Sequence, residues 1–192
     1  MLPQEELIGR LAKICRRDPQ LVAAMHYGSF AHLEADEYSD LDIILYFEDA
    51  AVSDIDQRAW LEQIATVELF YINEFGNSAA IFETLMDKAL IRGEFHFDPA
   101  GDMAKLEGYR GQMWFPSLET TLIVDKSGAL TRQLEPFTGP PPAHDSAQDA
   151  SYLCDSFLNW FLFGQNLLAR REYAHALEVI ALLHDNLLRM PA

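Results

Sequence analysis

The sequence predicts an α/β (α+β) protein: a mixed sheet with flanking helices, followed by a C-terminal helical domain. Three observations carry that prediction. The apolar runs Leu21-Val22-Ala23-Ala24-Met25-His26-Tyr27 and Leu41-Asp42-Ile43-Ile44-Leu45-Tyr46-Phe47 have the length and composition of buried strands. The stretch Ile91-Arg92-Gly93-Glu94-Phe95-His96-Phe97 alternates apolar with polar, as a strand with one polar face does. Past a proline-rich break, the apolar residues change to helical periodicity.

Taken in order, Leu7, Ile8, Leu11, Ile14 and Cys15 recur at helical spacing, Pro3 suits a first turn and Arg16-Arg17 a last one. Ser29 to Glu37 is a short acidic connector between two strands. A helix is expected from Ser53 to Ile64, capped by Ser53, with Asp54 and Asp56 in its first turn. Val67 to Ile72 and Ser78 to Phe82 form a hairpin across Asn73-Glu74-Phe75-Gly76-Asn77. Thr121 to Val124 is a further strand before the turn Asp125-Lys126-Ser127-Gly128. Pro136-Phe137-Thr138-Gly139-Pro140-Pro141-Pro142 reads as a linker, giving domains at 1–135 and 147–192 joined by 136–146. The second contains two helices, Ala147 to Ala169 and Tyr173 to Leu188, with Phe157, Trp160, Phe161 and Phe163 expected in their core.

A chain of 192 residues with 49% hydrophobic content can bury a sizeable core. No apolar stretch approaches the roughly 20 residues that span a bilayer, and Gln4, Glu5 and Glu6 do not suit a secretory leader. A cytoplasmic protein without membrane partners is therefore expected, with Cys15 and Cys154 as small buried thiols rather than a disulfide. The net charge of −16 disfavours a nucleic-acid partner, whose phosphates need Lys and Arg. It suits a cationic small molecule.

Chemistry concentrates at Gly28-Ser29 and Ser39-Asp40-Leu41-Asp42, both at strand ends. Residues two apart on a strand project to one face, so Asp40 and Asp42 can present paired carboxylates. Mg²⁺ takes hard oxygen ligands, shared between a few carboxylates and a substrate's phosphates. Gly28 lets backbone approach a phosphate, and Ser29 adds a hydroxyl and amides. This Gly-Ser, gap, Asp-x-Asp pattern resembles the nucleotidyltransferase superfamily. On the alternating strand, Glu94 is the expected third carboxylate, acting as general base or as a further metal neighbour, Arg92 would offset phosphate charge, and His96 is structural.

The residues Met25-His26-Tyr27-Gly28-Ser29-Phe30, Ser39-Asp40, Asn73-Glu74-Phe75-Gly76, Ile91 to Phe97 and Cys154-Asp155-Ser156-Phe157-Leu158-Asn159-Trp160 together are similar to the lincosamide nucleotidyltransferases. That resemblance implies transfer of a nucleoside monophosphate from a nucleoside triphosphate, ATP or another, to a hydroxyl of lincomycin or clindamycin. It implies Asp40 and Asp42 as ligands of Mg²⁺, one or two ions, and Glu94 as the candidate base; Gly28, Ser29, Ser39 and Arg92 are the residues expected around the nucleotide. The chain departs from the pattern in having Asp42 where relatives have Glu, in extra residues around Leu85-Met86-Asp87-Lys88-Ala89-Leu90, and in ending at Met190-Pro191-Ala192 where relatives continue with further helices. A homodimer completing the cleft is one expectation from that ending. Two rivals stand beside this reading: a transferase acting on another small molecule or a protein side chain, and a non-catalytic, antitoxin-like nucleotide-binding module.

Overall fold

A computed structural model describes residues 2–73, 76–84, 88–111, 113–140 and 146–189. Glu74-Phe75 of the expected hairpin turn, Leu85-Met86-Asp87 of the extra segment, Pro141-Pro142 of the linker and the terminal Met190-Pro191-Ala192 lie outside them. The chain divides into two compact units, Met1–Pro142 and Ala143–Ala192.

The first unit opens with helix α1 (Pro3–Arg17). Leu2 has no polar side chain with which to cap it, so the Glu5 carboxylate reaches back and accepts the Leu2 amide at 2.7 Å. Leu7, Leu11 and Cys15, four apart, form its buried stripe. The strands are β1 (Leu21–His26), β2 (Leu41–Phe47), β3 (Thr66–Ile72), β4 (Ser78–Glu83), β5 (Leu90–Pro99) and β6 (Leu122–Asp125). Their order across the sheet is β3-β4-β5-β2-β1-β6, with β2 and β5 parallel and every other pair antiparallel. The sheet is mixed, as expected.

Alternation along β2 sends its residues to two different cores. Leu41, Ile43, Leu45 and Phe47 join Phe95 and Phe97 of β5, the α1 stripe, and Trp60 and Leu61. Tyr46 turns the other way, to Met25, Leu106, Phe115, Leu130 and Phe137. Asp42, on the same side as Tyr46 but nearer the start of β2, belongs to neither cluster, and that end of the face is polar.

Between the strands lie α2 (Gly28–His32) and α3 (Gln57–Leu61). The helix expected over Ser53 to Ile64 is broken: Val52–Asp54 is a 3₁₀ turn, and Ile55 is extended at φ −75°, ψ 118°. The cap is accordingly Asp56 rather than Ser53, its carboxylate accepting the Ala59 amide at 3.1 Å. Ala100–Tyr109 is 3₁₀ helix, and α4 (Leu118–Thr121) ends where a strand had been expected to begin. The turn at Asp125 does more than reverse the chain, because its carboxylate accepts the amides of Gly128 and Thr131 and so starts α5 (Ala129–Leu134). Phe137, inside the proline-rich stretch, is buried in the first unit.

The second unit pairs α6 (Ser146–Ala169) with α7 (Tyr173–Arg189). Gly164 allows the close approach, since a methyl there would lie 3.1 Å from a Val179 methyl. Leu167, Ala176 and Val179 form the core. Two of the aromatics expected there are outside it: Phe161 and Phe163 are 42% and 46% exposed. Cys154 is exposed as well, unlike the buried Cys15. A lone pair of helices shares one contact stripe, which cannot cover apolar residues all round α6. Among the described residues, no helix is long and apolar enough to cross a membrane.

Candidate functional site

The parallel pairing of β2 with β5 sets Asp42 directly opposite Glu94. Neighbouring strands lie about 4.8 Å apart, so carboxylates paired this way share one patch of the sheet face. Asp42 is held from both sides. Its carbonyl accepts the Tyr27 amide at 3.0 Å, and its carboxylate packs on the backbone of Gly28. At Gly28 φ is +66°, a left-handed conformation that favours glycine, and a Cβ there would meet Asp42 Oδ2 at 2.2 Å. One residue therefore serves both the turn out of β1 and the seat of the carboxylate.

Charge at this patch is poorly solvated. Burial, followed by the neighbouring charges of Asp40 and Glu94 and against the pull of Arg92, pushes the Asp42 carboxyl up from 3.8 to about 6. The acids are thus close enough to feel one another.

Arg92 joins the other two. Its guanidinium donates to the Asp40 carboxylate and, at 3.2 Å, to Glu94 Oε2. Glu94 Oε1 accepts from Asn77 Nδ2 at 2.9 Å. Among the described residues no group of three or more His, Cys, Asp or Glu side chains has the arrangement of a metal site. A single cation, the guanidinium, bridges two of the acids instead.

Ser29 lies in the first turn of α2 beside Gly28, and among the described residues no hydrogen bond reaches its hydroxyl. Ser39 is engaged elsewhere: its hydroxyl accepts the Asp36 amide at 2.9 Å and donates to Asp36 Oδ1 at 3.1 Å, closing the turn before Asp40. His96, two residues past Glu94 on the same face, sits with its Nε2 3.1 Å from the Tyr27 hydroxyl.

Sequence reasoning missed two positioning residues. Gln4 on α1 is fully buried, and its Nε2 donates to the carbonyls of Ser39 at 2.8 Å, Glu37 at 3.1 Å and Asp36 at 3.4 Å. It thereby ties down the turn that delivers Asp40. The available signal was a polar residue in line with the apolar stripe Leu7, Leu11 and Cys15. Asn77 was read only as a turn residue. Nothing local distinguishes it, because its bond to Glu94 depends on β4 lying beside β5.

Among curated proteins, none matches this chain significantly. Residues 10–95 match the family model described as Polymerase beta, Nucleotidyltransferase, a span containing Gly28, Ser29, Asp40, Asp42 and Glu94. With a mixed sheet and flanking helices consistent with that fold, the match supports the nucleotidyltransferase superfamily for this chain.

Proposed function

We propose that the protein transfers a nucleoside monophosphate from a nucleoside triphosphate, ATP first, to a hydroxyl of a small-molecule acceptor, with a lincosamide such as lincomycin or clindamycin as the leading acceptor. The observation that carries this reading is Asp42 facing Glu94 across β2 and β5, with Gly28 packed on the Asp42 carboxylate.

Asp40 and Asp42 would hold one or two Mg²⁺ ions. Hard oxygen donors are the right type, and the elevated Asp42 carboxyl marks a patch where added positive charge is favourable. Ions held by these two carboxylates would supply positive charge to offset that of the phosphates and the leaving pyrophosphate. Gly28 and Ser29 receive the phosphates through backbone amides and the free hydroxyl. Arg92 exchanges a carboxylate for a phosphate oxygen when the nucleotide enters. Glu94 takes the proton of the acceptor hydroxyl as the new O–P bond forms at the α-phosphorus and the bond to the bridging oxygen breaks, releasing pyrophosphate. Asn77 fixes the Glu94 carboxylate in one orientation for this step.

The exposed apolar residues of α6 and α7, Leu158, Leu162 and Leu177 among them, support assembly of a homodimer, which light scattering would test.

The decisive experiment measures pyrophosphate release from Mg·ATP with and without lincomycin or clindamycin. Release that depends on the acceptor, and that falls at least 100-fold in Asp40→Asn and Asp42→Asn while both variants stay folded, is the expected outcome. Full turnover in either variant would remove the metal assignment.

A further inference from the structure

Beyond the acids on the same sheet face lies a pocket of about 570 Å³. That is within the range of sites for drug-sized ligands. Strand alternation builds its floor from Ile44 and Tyr46 of β2 and from His96 and Asp98 of β5. Leu106 and Met113 give it an apolar wall.

Two polar groups in this pocket are unmatched by the protein. Asp98 lies directly opposite Tyr46 across the two parallel strands. Tyr46 is only 2% exposed, lines the pocket, and among the described residues its hydroxyl has no hydrogen-bond partner. The half-buried Asp98 carboxylate likewise has no hydrogen bond or ion pair among the described residues. Lys105, the cation lining the pocket, is paired with Asp102 at 2.6 Å instead. Burial raises the pKa of both Asp98 and Tyr46, and at Asp98 it outweighs the opposing charges of His96 and Lys105. A half-buried carboxylate without a hydrogen bond, set in a cavity with an apolar wall, is what a ligand's counterpart would satisfy.

The pocket is continuous with the reactive groups. Asn77 and Tyr27 line it, Asn77 donates to Glu94, and Tyr27 holds His96. Asp98 is four residues from Glu94 along β5, a Cα separation of about 13 Å at the usual rise of a strand.

We propose that this pocket is the acceptor site and that it selects a small organic cation, a protonated amine on an apolar body, with Asp98 receiving the charge and Tyr46 a polar group beside it. This rests on the transferase reading and adds to it a chemical class of acceptor. It also sets a ruler: the cation and the reacting hydroxyl lie on the order of 10 Å apart, the strand separation less the contacts at each end. A neutral acceptor of the same shape leaves Asp98 uncompensated and binds more weakly.

The test uses the full chain with benzyltrimethylammonium, a cation lacking a hydroxyl, and benzyl alcohol as an uncharged counterpart, both followed by calorimetry. Saturable binding of the cation in preference to the alcohol, weakened at least tenfold by Asp98→Asn with Mg·ATP affinity unchanged, is the expected result. Asp98→Glu, which keeps the charge, keeps the preference. No saturable binding, equal affinity in wild type and Asp98→Asn, or a loss of Mg·ATP affinity in Asp98→Asn overturns the proposal, the last by giving the pocket to the nucleotide. Among the described residues the Asp98 side chain makes no hydrogen bond or ion pair for the substitution to remove, and circular dichroism of each variant verifies that it folds. Cation binding that depends on Asp98 without any acceptor-dependent pyrophosphate release would sink the transferase reading alone, and the converse would sink the pocket alone.

Discussion

Gly28→Ala perturbs the site through a single methyl group. Two costs follow from the geometry. The residue sits at φ +66°, where a non-glycine residue is disfavoured by about 1–2 kcal/mol. The new Cβ would also lie 2.2 Å from Asp42 Oδ2, whereas ordinary contact begins at 3.4 Å, so the carboxylate must retreat by the difference, 3.4 − 2.2 = 1.2 Å. Misplacement of a reacting group by about 1 Å can cost roughly 100-fold in rate, equivalent to about 2.7 kcal/mol in the barrier. Gly111→Ala separates the two costs, since Gly111 has φ +79° and a methyl added there would meet nothing within 4 Å among the described residues. Urea unfolding should show the cost of the left-handed backbone in both variants and a further loss from the clash in Gly28→Ala alone. Acceptor-dependent pyrophosphate release should drop about 100-fold in Gly28→Ala and stay near wild type in Gly111→Ala. Equal turnover in the two variants would refute the claim that Gly28 seats a working Asp42.

Gln4→Leu keeps the bulk on α1 but removes the donors that hold the carbonyls of residues 36, 37 and 39. It also removes the buried, unpartnered Gln4 Oε1, so the net loss should be about 1–2 kcal/mol by denaturant titration, with a raised Mg²⁺ requirement as the Asp40 turn loosens; an unchanged Mg²⁺ dependence would count against a positioning role. Acid should act through two opposed groups. Burial pulls His26 down from 6.5 to about 4, and among the described residues its buried Nδ1 has no hydrogen-bond partner, so the unfolded chain binds the extra proton and stability falls by about 3 kcal/mol as pH drops from 6.5 through 4. Asp42 has the reverse sign: the folded chain takes up its proton first, adding about 1–2 kcal/mol as pH falls from 6 to 3.8, after allowance for partial exposure. Asp42→Asn should therefore steepen the acid loss of stability between pH 6 and 4, measured by urea unfolding at several pH values, and an unaltered slope would contradict the opposition.

Local patterns in the chain determined the strands and much of the site. Runs such as Leu41 to Phe47 and the alternation of Ile91 to Phe97 are period-two signals, and they recur as β2 and β5 with Glu94, Asp42 and Tyr46 on one face. Gly28-Ser29 and Asp40-x-Asp42 are likewise visible as short motifs at strand ends. The broken helix near Ser53, the 3₁₀ segment Ala100–Tyr109 and α5 were not, because each is short and set by side-chain caps or packing instead of by a repeating apolar stripe. Exposure of Phe161 and Cys154 is illegible for a related reason: composition says that a residue would gain by burial, and only the number of neighbouring elements decides whether it is buried.

What tertiary structure alone decided is which distant residues meet. Parallel pairing of β2 with β5 joins residues 52 apart, brings Asp42 opposite Glu94 and Tyr46 opposite Asp98, and so creates both the acidic patch and the pocket beside it. Arg92 bridging Asp40 and Glu94 depends on that pairing, Asn77 holding Glu94 on β4 lying beside β5, and Gln4 anchoring the Asp40 turn on where α1 packs. Hydrogen bonds and ion pairs act over a few ångströms in space regardless of separation along the chain, whereas a pattern in sequence reports only on near neighbours.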